Sequence, residues 1–77
     1  MKLKCKDSYV EWFTPGYEYS FNQIKHDENR AAGIVSCSVG TEWDCIESQY
    51  TPGLFTAYNQ MGRCMALLYN DKYQQAA

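Results

Sequence analysis

Four cysteines, one histidine and a few carboxylates and hydroxyls are the residues of this 77-residue sequence with types suited to chemistry. Cys5, Cys37, Cys45 and Cys64 are separated by 32, 8 and 19 positions, with no CxxC pair. A zinc finger or ribbon needs close pairs of ligands, so no metal site is expected. His26, the sole histidine, stands beside Asp27 and Glu28, which would form a metal or acid/base cluster if the three converged. Adjacent residues of a loop rarely meet at one point, and a solvated loop is the better reading. Ser36, Ser38, Glu42, Asp44 and Glu47 supply oxygens with no histidine near them, and there is no nucleophile elbow or Gly-rich phosphate loop. A chain this short also has little room to wall a cleft between two carboxylates. Without an acid, base and nucleophile in one constellation, the sequence reads as non-enzymatic, with no catalytic residue and no cofactor.

The elements that must position these groups centre on Ile34–Glu47, IVSCSVGTEWDCIE. Strand-forming and small apolar residues flank Gly40-Thr41-Glu42, which predicts a hairpin with strands at 34–39 and 43–47. A two-residue Gly40-Thr41 loop would suit a type II′ turn, but it would put Glu42 and Asp44 on the face of Val35, Cys37 and Val39. A three-residue loop pairs Val39 with Trp43, Cys37 with Cys45 and Val35 with Glu47. The apolar residues then share one face, which favours this register. Cys37 and Cys45, set opposite each other, are read as small buried hydrophobes in preference to a disulfide or half of a zinc site.

Along the rest of the chain, Lys2-Leu3-Lys4-Cys5-Lys6 alternates and predicts a strand at 2–6 with its lysines outward, where they would guard a sheet edge. A phosphate-binding stripe is the lesser reading, since three charges are few for that. Asp7–Gly16 is a connector rich in aromatics, closed by Pro15-Gly16. Tyr17, Tyr19 and Phe21 alternate with polar residues in a strand at 17–24. Lys25–Gly33 reads as a charged loop. Tyr50-Thr51-Pro52-Gly53 echoes Phe13-Thr14-Pro15-Gly16, which marks two similar turns rather than a repeat. Leu54, Tyr58, Met61, Met65 and Leu68 then follow a helical stripe, with Thr51 as N-cap and Pro52 as first helical residue. A helix within 54–69 is expected, against a fifth strand at 54–58 and a shorter helix. Its stripe reads as core before it reads as a partner face. The tail 71–77 reads as frayed.

Composition fits one small domain over 1–77: 45% hydrophobic, 21% charged and 16% aromatic, with net charge −2. Such a chain buries only about 60% of its unfolded surface, and aromatics compensate because each buries on the order of 150–250 Å². MKLKCKDSYV turns charged before any apolar run develops, so no secretory leader is expected, and no stretch approaches the ~20 apolar residues of a membrane span. A cytoplasmic location with reduced thiols follows as the expectation.

From Lys2 to about Tyr58 the order of these features resembles the small SH3-like barrels encoded by bacteriophages and prophages. Thr14, Gly16 and Tyr19 match a T-x-G-x-x-Y segment after the first strand, Gly40 the hairpin turn, and Phe55 the closing strand. The 25–33 loop and the helix signal after Pro52 depart from that pattern. The resemblance implies a β-rich fold, a small antiparallel sheet or partly open SH3-like barrel, here with a C-terminal helix. It also implies a binding module that acts on a host protein.

Three functions compete. An enzyme lacks its constellation. A single-stranded nucleic-acid module would stack bases on Tyr9, Trp12, Phe13 and Tyr17, but Lys25 and Arg30 are the only bases near them in sequence and Glu11, Asp27 and Glu28 interrupt. The favoured reading is a protein-interaction module that inhibits or modulates a host protein through Tyr9, Trp12, Phe13 and Tyr17, residue types that anchor interfaces. Against it stands the possibility that Trp12 and Tyr17 only cap a barrel end. Trp12 is expected to be at least partly exposed. A homodimer through a sheet edge or the Met61/Met65 face is a further expectation.

Overall fold

The computed structural model describes residues 1–27 and 30–73. They form six strands: β1 (Lys2–Ser8), β2 (Glu18–Asp27), β3 (Arg30–Ser36), β4 (Glu42–Glu47), β5 (Leu54–Tyr58) and β6 (Cys64–Tyr69). Each pairs antiparallel with its sequence neighbour, and β6 returns to β1, so the sheet closes into a barrel. Closure leaves no sheet edge. The lysines of β1 therefore guard none: β1 pairs with β2 on one side and β6 on the other. No helix of the described residues is long and apolar enough to cross a membrane.

Alternation builds the core. Leu3 and Cys5 of β1, Tyr19 and Phe21 of β2, Val35 of β3 and Cys45 of β4 are buried as their parity predicts. Phe21 packs edge-on against Phe55 with ring centroids 5.1 Å apart, which locks β2 to the far wall of the barrel.

The expected C-terminal helix is absent; the 54–58 strand and a further strand stand in its place. Phe55 and Ala57 alternate inward on β5, and Met65 and Leu68 are buried on β6. The helical stripe joined members of two strands across a turn, and it also included Met61, which is 81% exposed at that turn. Thr51-Pro52 begins a tight turn rather than a helix: Leu54 N–H donates to Thr51 O at 3.1 Å. The matching turn before β2 has Tyr17 N–H on Thr14 O at 3.1 Å, so the repeated Thr-Pro-Gly does mark two similar turns.

The charged loop expected at 25–33 is mostly strand. β2 and β3 pair from Phe21↔Val35 to Asp27↔Arg30, with a bulge between Gln23 and Lys25. Small residues make this possible, because a Cβ on Gly33 would overlap the Asn22 carbonyl. Glu28 of the His26–Asp27–Glu28 cluster lies outside the described residues, as do 74–77 of the tail. Tyr73 N–H donates to Asn70 O at 3.0 Å, so the start of the tail folds back.

The central hairpin forms in a shifted register. Val35 pairs with Trp43, Gly33 with Cys45 and Ser36 with Glu42, not Val39 with Trp43, Cys37 with Cys45 and Val35 with Glu47. The three-residue loop is Ser38-Val39-Gly40. Cys37 N–H donates to Thr41 O, and Gly40 N–H to Cys37 O, both at 3.0 Å. Such a loop needs a left-handed residue at its third position, and Gly40 supplies it with φ of 84°. The slip is even-numbered, so Val35, Cys37, Trp43 and Cys45 keep the expected face, but Val39, expected there too, lies in the loop and is 74% exposed.

Glu47 ends β4 pointing inward and is 8% exposed. Its two carboxylate oxygens accept from Ala31 N–H at 3.0 Å and Gly53 N–H at 2.8 Å. One buried side chain thus ties the start of β3 to the β4–β5 turn. Gly53 also accepts from Asn70 N–H at 3.0 Å, and a Cβ there would overlap Tyr73 N and Asn70 Oδ1.

Candidate interaction site

The aromatic connector between β1 and β2 is held along its length. Tyr9 N–H donates to Met65 O at 2.9 Å, and Trp12 O accepts from Ser38 N–H at 3.0 Å. Thr14 N–H donates to the Tyr19 hydroxyl at 2.6 Å. At the connector's end, Cys5 and Gly16-Tyr17 exchange bonds, Gly16 N–H to Cys5 O at 2.9 Å and Cys5 N–H to Tyr17 O at 2.8 Å. Its backbone is therefore pinned to β1, β6, the Cys37–Thr41 turn and the Tyr19 side chain.

The four nominated side chains divide. Phe13 is 2% exposed and packs edge-on against Tyr19 at 5.0 Å, so it is the connector's buried foot and offers no surface. Trp12 is partly buried against the core, stacked on Trp43 with centroids 6.1 Å apart and planes 15° off parallel. Tyr9 and Tyr17 project, 68% and 65% exposed. Among the described residues no ring contact joins either tyrosine to Trp12.

The thiols are free and distinct in environment. Cys5, Cys37 and Cys45 are buried and Cys64 is exposed, and Cys37 and Cys45 are not partners in the hairpin. Burial pushes Cys45 up to about 12 and, with the Asp7 charge adding to it, Cys5 up to about 11. Burial also raises Cys64. At Cys37 burial acts the same way, but the Trp43 indole and the amides of Val39, Thr41 and Cys37 itself donate to the thiolate and hold it below its ordinary value. The indole N–H groups of Trp12 and Trp43 are both buried without a hydrogen-bond partner, and that of Trp43 is among the groups that lower Cys37. Among the described residues no three His, Cys, Asp or Glu side chains converge as a metal site.

A second feature lies on the outer face of β2–β5. An open groove of about 510 Å³ is floored by Ile34, Ile46 and Tyr58 and rimmed by Ile24, Lys25 and Asp44. Its signal was present in the sequence: Ile34 and Ile46 share parity with Ser36 and Asp44, the polar side of the hairpin, and are surplus to the core. The Met61/Met65 face does not exist as a surface, because Met65 is buried.

Comparison with protein-family models, with curated proteins and with solved structures finds no match. Fold and surface chemistry therefore carry the functional reading.

Proposed function

We propose that this chain is a non-enzymatic protein-interaction module, of the kind of small SH3-like barrel that phages and prophages encode to inhibit or modulate a host protein in the cytoplasm. The observation that carries the reading is the connector: a backbone pinned at both ends, a buried Phe13 beneath it, and two tyrosines more than half exposed. Interfaces gain affinity when anchor side chains stand on backbone that is already ordered, because little entropy is lost on docking. Tyr and Trp are the anchors such sites favour. Tyr9 and Tyr17 are the contact residues, Trp12 offers its partly open edge, and Phe13 holds the platform. The residues of the SH3-like resemblance support it: Gly40 forms the hairpin turn, and Tyr19 and Phe55 sit in the barrel core.

One arrangement favours single-stranded nucleic acid as the second reading. The Cys5–Tyr17 backbone bond brings the Tyr17 main chain against β1 at Cys5, between Lys4 and Lys6 in sequence, and a base-stacking ring near a short basic stripe is what such a module uses. Against it, Lys6 is engaged by Asp7 at 3.0 Å and Lys4 is paired in register with Glu18. Capture from bacterial lysate by the tagged chain separates the two. A stoichiometric protein that survives a salt wash supports the module; nucleic acid that elutes steeply with salt supports the alternative.

A further inference from the structure

We propose that the outer face of β3–β5 holds a docking site, separate from the connector, for an extended segment of a protein partner that carries an arginine or lysine two residues from a large apolar side chain. The site is the groove of about 510 Å³ over Ile34, Ile46 and Tyr58. A smaller hollow of about 200 Å³ continues it, sharing Ile34, Asp44 and Tyr58 and adding Glu42. Register sets the chemistry. Asp44 pairs directly with Ile34 on one side and with Tyr58 on the other, so its carboxylate stands in an apolar and aromatic row, about 5 Å from each neighbour at Cβ. Ile46 is two residues along β4 in one direction and Glu42 two in the other, on the same face because side chains alternate. Along β4 the face reads apolar, acidic, acidic, with a tyrosine beside the middle position.

Charge then names the occupant. Glu42 and Asp44 are both exposed, and among the described residues the one ion pair is Lys6–Asp7, so neither carboxylate is neutralised by a neighbour. Lys25, the only base in the groove lining, stands on β2 in the next row, two strands from Asp44, which is about 10 Å across the sheet. A cation that docks between Asp44 and Glu42 gains two opposite charges and lies against the Tyr58 ring. The apolar floor at Ile46 and Ile34 requires that this cation be carried beside an apolar group. Ile46 and Asp44 are about 7 Å apart along the strand, and residues i and i+2 of an extended peptide share one face at that same spacing. Gln60, exposed at the lip, offers its amide to the peptide backbone. The closed barrel has no free edge for strand addition, so the segment is held through its side chains.

The test is an NMR titration of the whole isotope-labelled chain with the pentapeptide Ser-Leu-Ser-Arg-Ser, acetylated and amidated. The expected result is a saturable shift of the amides of Ile34, Asp44, Ile46, Tyr58 and their immediate neighbours. Glutamate in place of the peptide's arginine is expected to abolish it, and alanine in place of its leucine to weaken it. Glu42→Gln/Asp44→Asn changes charge with little change of shape at two exposed positions, and the amide spectrum checks that the barrel is kept. This variant is expected to bind the peptide at least about fivefold more weakly. The proposal is overturned by no shift at millimolar peptide, by shifts scattered over the surface, or by binding indifferent to the arginine, the leucine or the two carboxylates. Neither Tyr9 nor Tyr17 lines this groove, so the result is independent of the connector site.

Discussion

Cys37 and Asn59 hold the same position in two turns of one geometry. Cys37 N–H bonds Thr41 O as Asn59 N–H bonds Arg63 O, and Gly40 N–H returns to Cys37 O as Gly62 N–H returns to Asn59 O, all at 3.0 Å. In the β5–β6 turn Asn59 Oδ1 accepts from Met61 N–H at 2.9 Å and Arg63 N–H at 3.0 Å. The equivalent amides in the β3–β4 turn, those of Val39 and Thr41, lie around the Cys37 sulfur and with the Trp43 indole hold its thiol below the ordinary value despite burial. A neutral thiol is a weak acceptor, and the thiolate is a strong one. The turn is therefore better satisfied with Cys37 ionised.

This predicts that Cys37 is the first thiol of the native chain to ionise. Its folded value is depressed, so its contribution to stability is present above the unfolded value of about 8.5 and is lost as pH falls through the folded one. Thiolate absorbance followed through an alkaline titration should show one step below the ordinary cysteine range, absent in Cys37→Ser. A first step retained in Cys37→Ser would place it on another thiol.

Cys45 predicts the opposite trend. It is fully buried, and burial pushes it up to about 12. The unfolded chain loses this proton near pH ~8.5 while the folded chain keeps it, so stability is intact below that pH and falls as pH rises toward the folded value. The slope from this one proton is about 1.4 kcal/mol per pH unit. Urea unfolding of Cys45→Ala at successive alkaline pH values should show a decline shallower by about that amount, on a starting stability lowered by about 1 kcal/mol through lost packing.

Glu47 predicts a large cost for a single polar deletion. Glu47→Ala removes the acceptor of two buried backbone donors, and hydrogen bonds to charged groups contribute about 1.5–3 kcal/mol each. A loss of about 3 kcal/mol by urea unfolding is expected. Glu47→Gln should recover only part of it, because its amide nitrogen must face one of the two N–H donors. Equal stability of Glu47→Ala and the native chain would mean that this tie carries no energy.

Much of the barrel could be read from strict alternation, at Leu3 and Cys5 and again at Tyr19 and Phe21, because a strand with one buried face exposes its period directly. The inward face of the hairpin was legible at Val35, Cys37, Trp43 and Cys45, though not at Val39, and its register was not. Moving the three-residue loop from Gly40-Thr41-Glu42 to Ser38-Val39-Gly40 preserves parity, and only the requirement for glycine at the third position distinguishes the two. The helix expectation failed because Leu54, Tyr58, Met65 and Leu68 are spaced by accident of a turn between two short strands. Gly62, which looked like a flaw in a helix, has φ of 81° and belongs to that turn. At the candidate site, the partial exposure of Trp12 was legible, but Tyr17 was read on the face of Tyr19 and Phe21 in a strand from 17, whereas β2 begins at Glu18 and Tyr17 is exposed. The burial of Phe13 was not legible, since nothing local separates it from its neighbours; Tyr19, six residues on, decides it.

The central claim, that the connector tyrosines anchor a partner, is tested most directly by parallel capture from bacterial lysate with the native chain and Tyr9→Ala/Tyr17→Ala. Both side chains are more than half exposed, so their removal should change the unfolding midpoint little, within about ±0.5 kcal/mol each. The expected result is one protein retained in stoichiometric amount by the native chain through a salt wash and lost, about a hundredfold or more, by the equally folded variant. Equal retention by both chains, or retention of nucleic acid alone, would contradict the account.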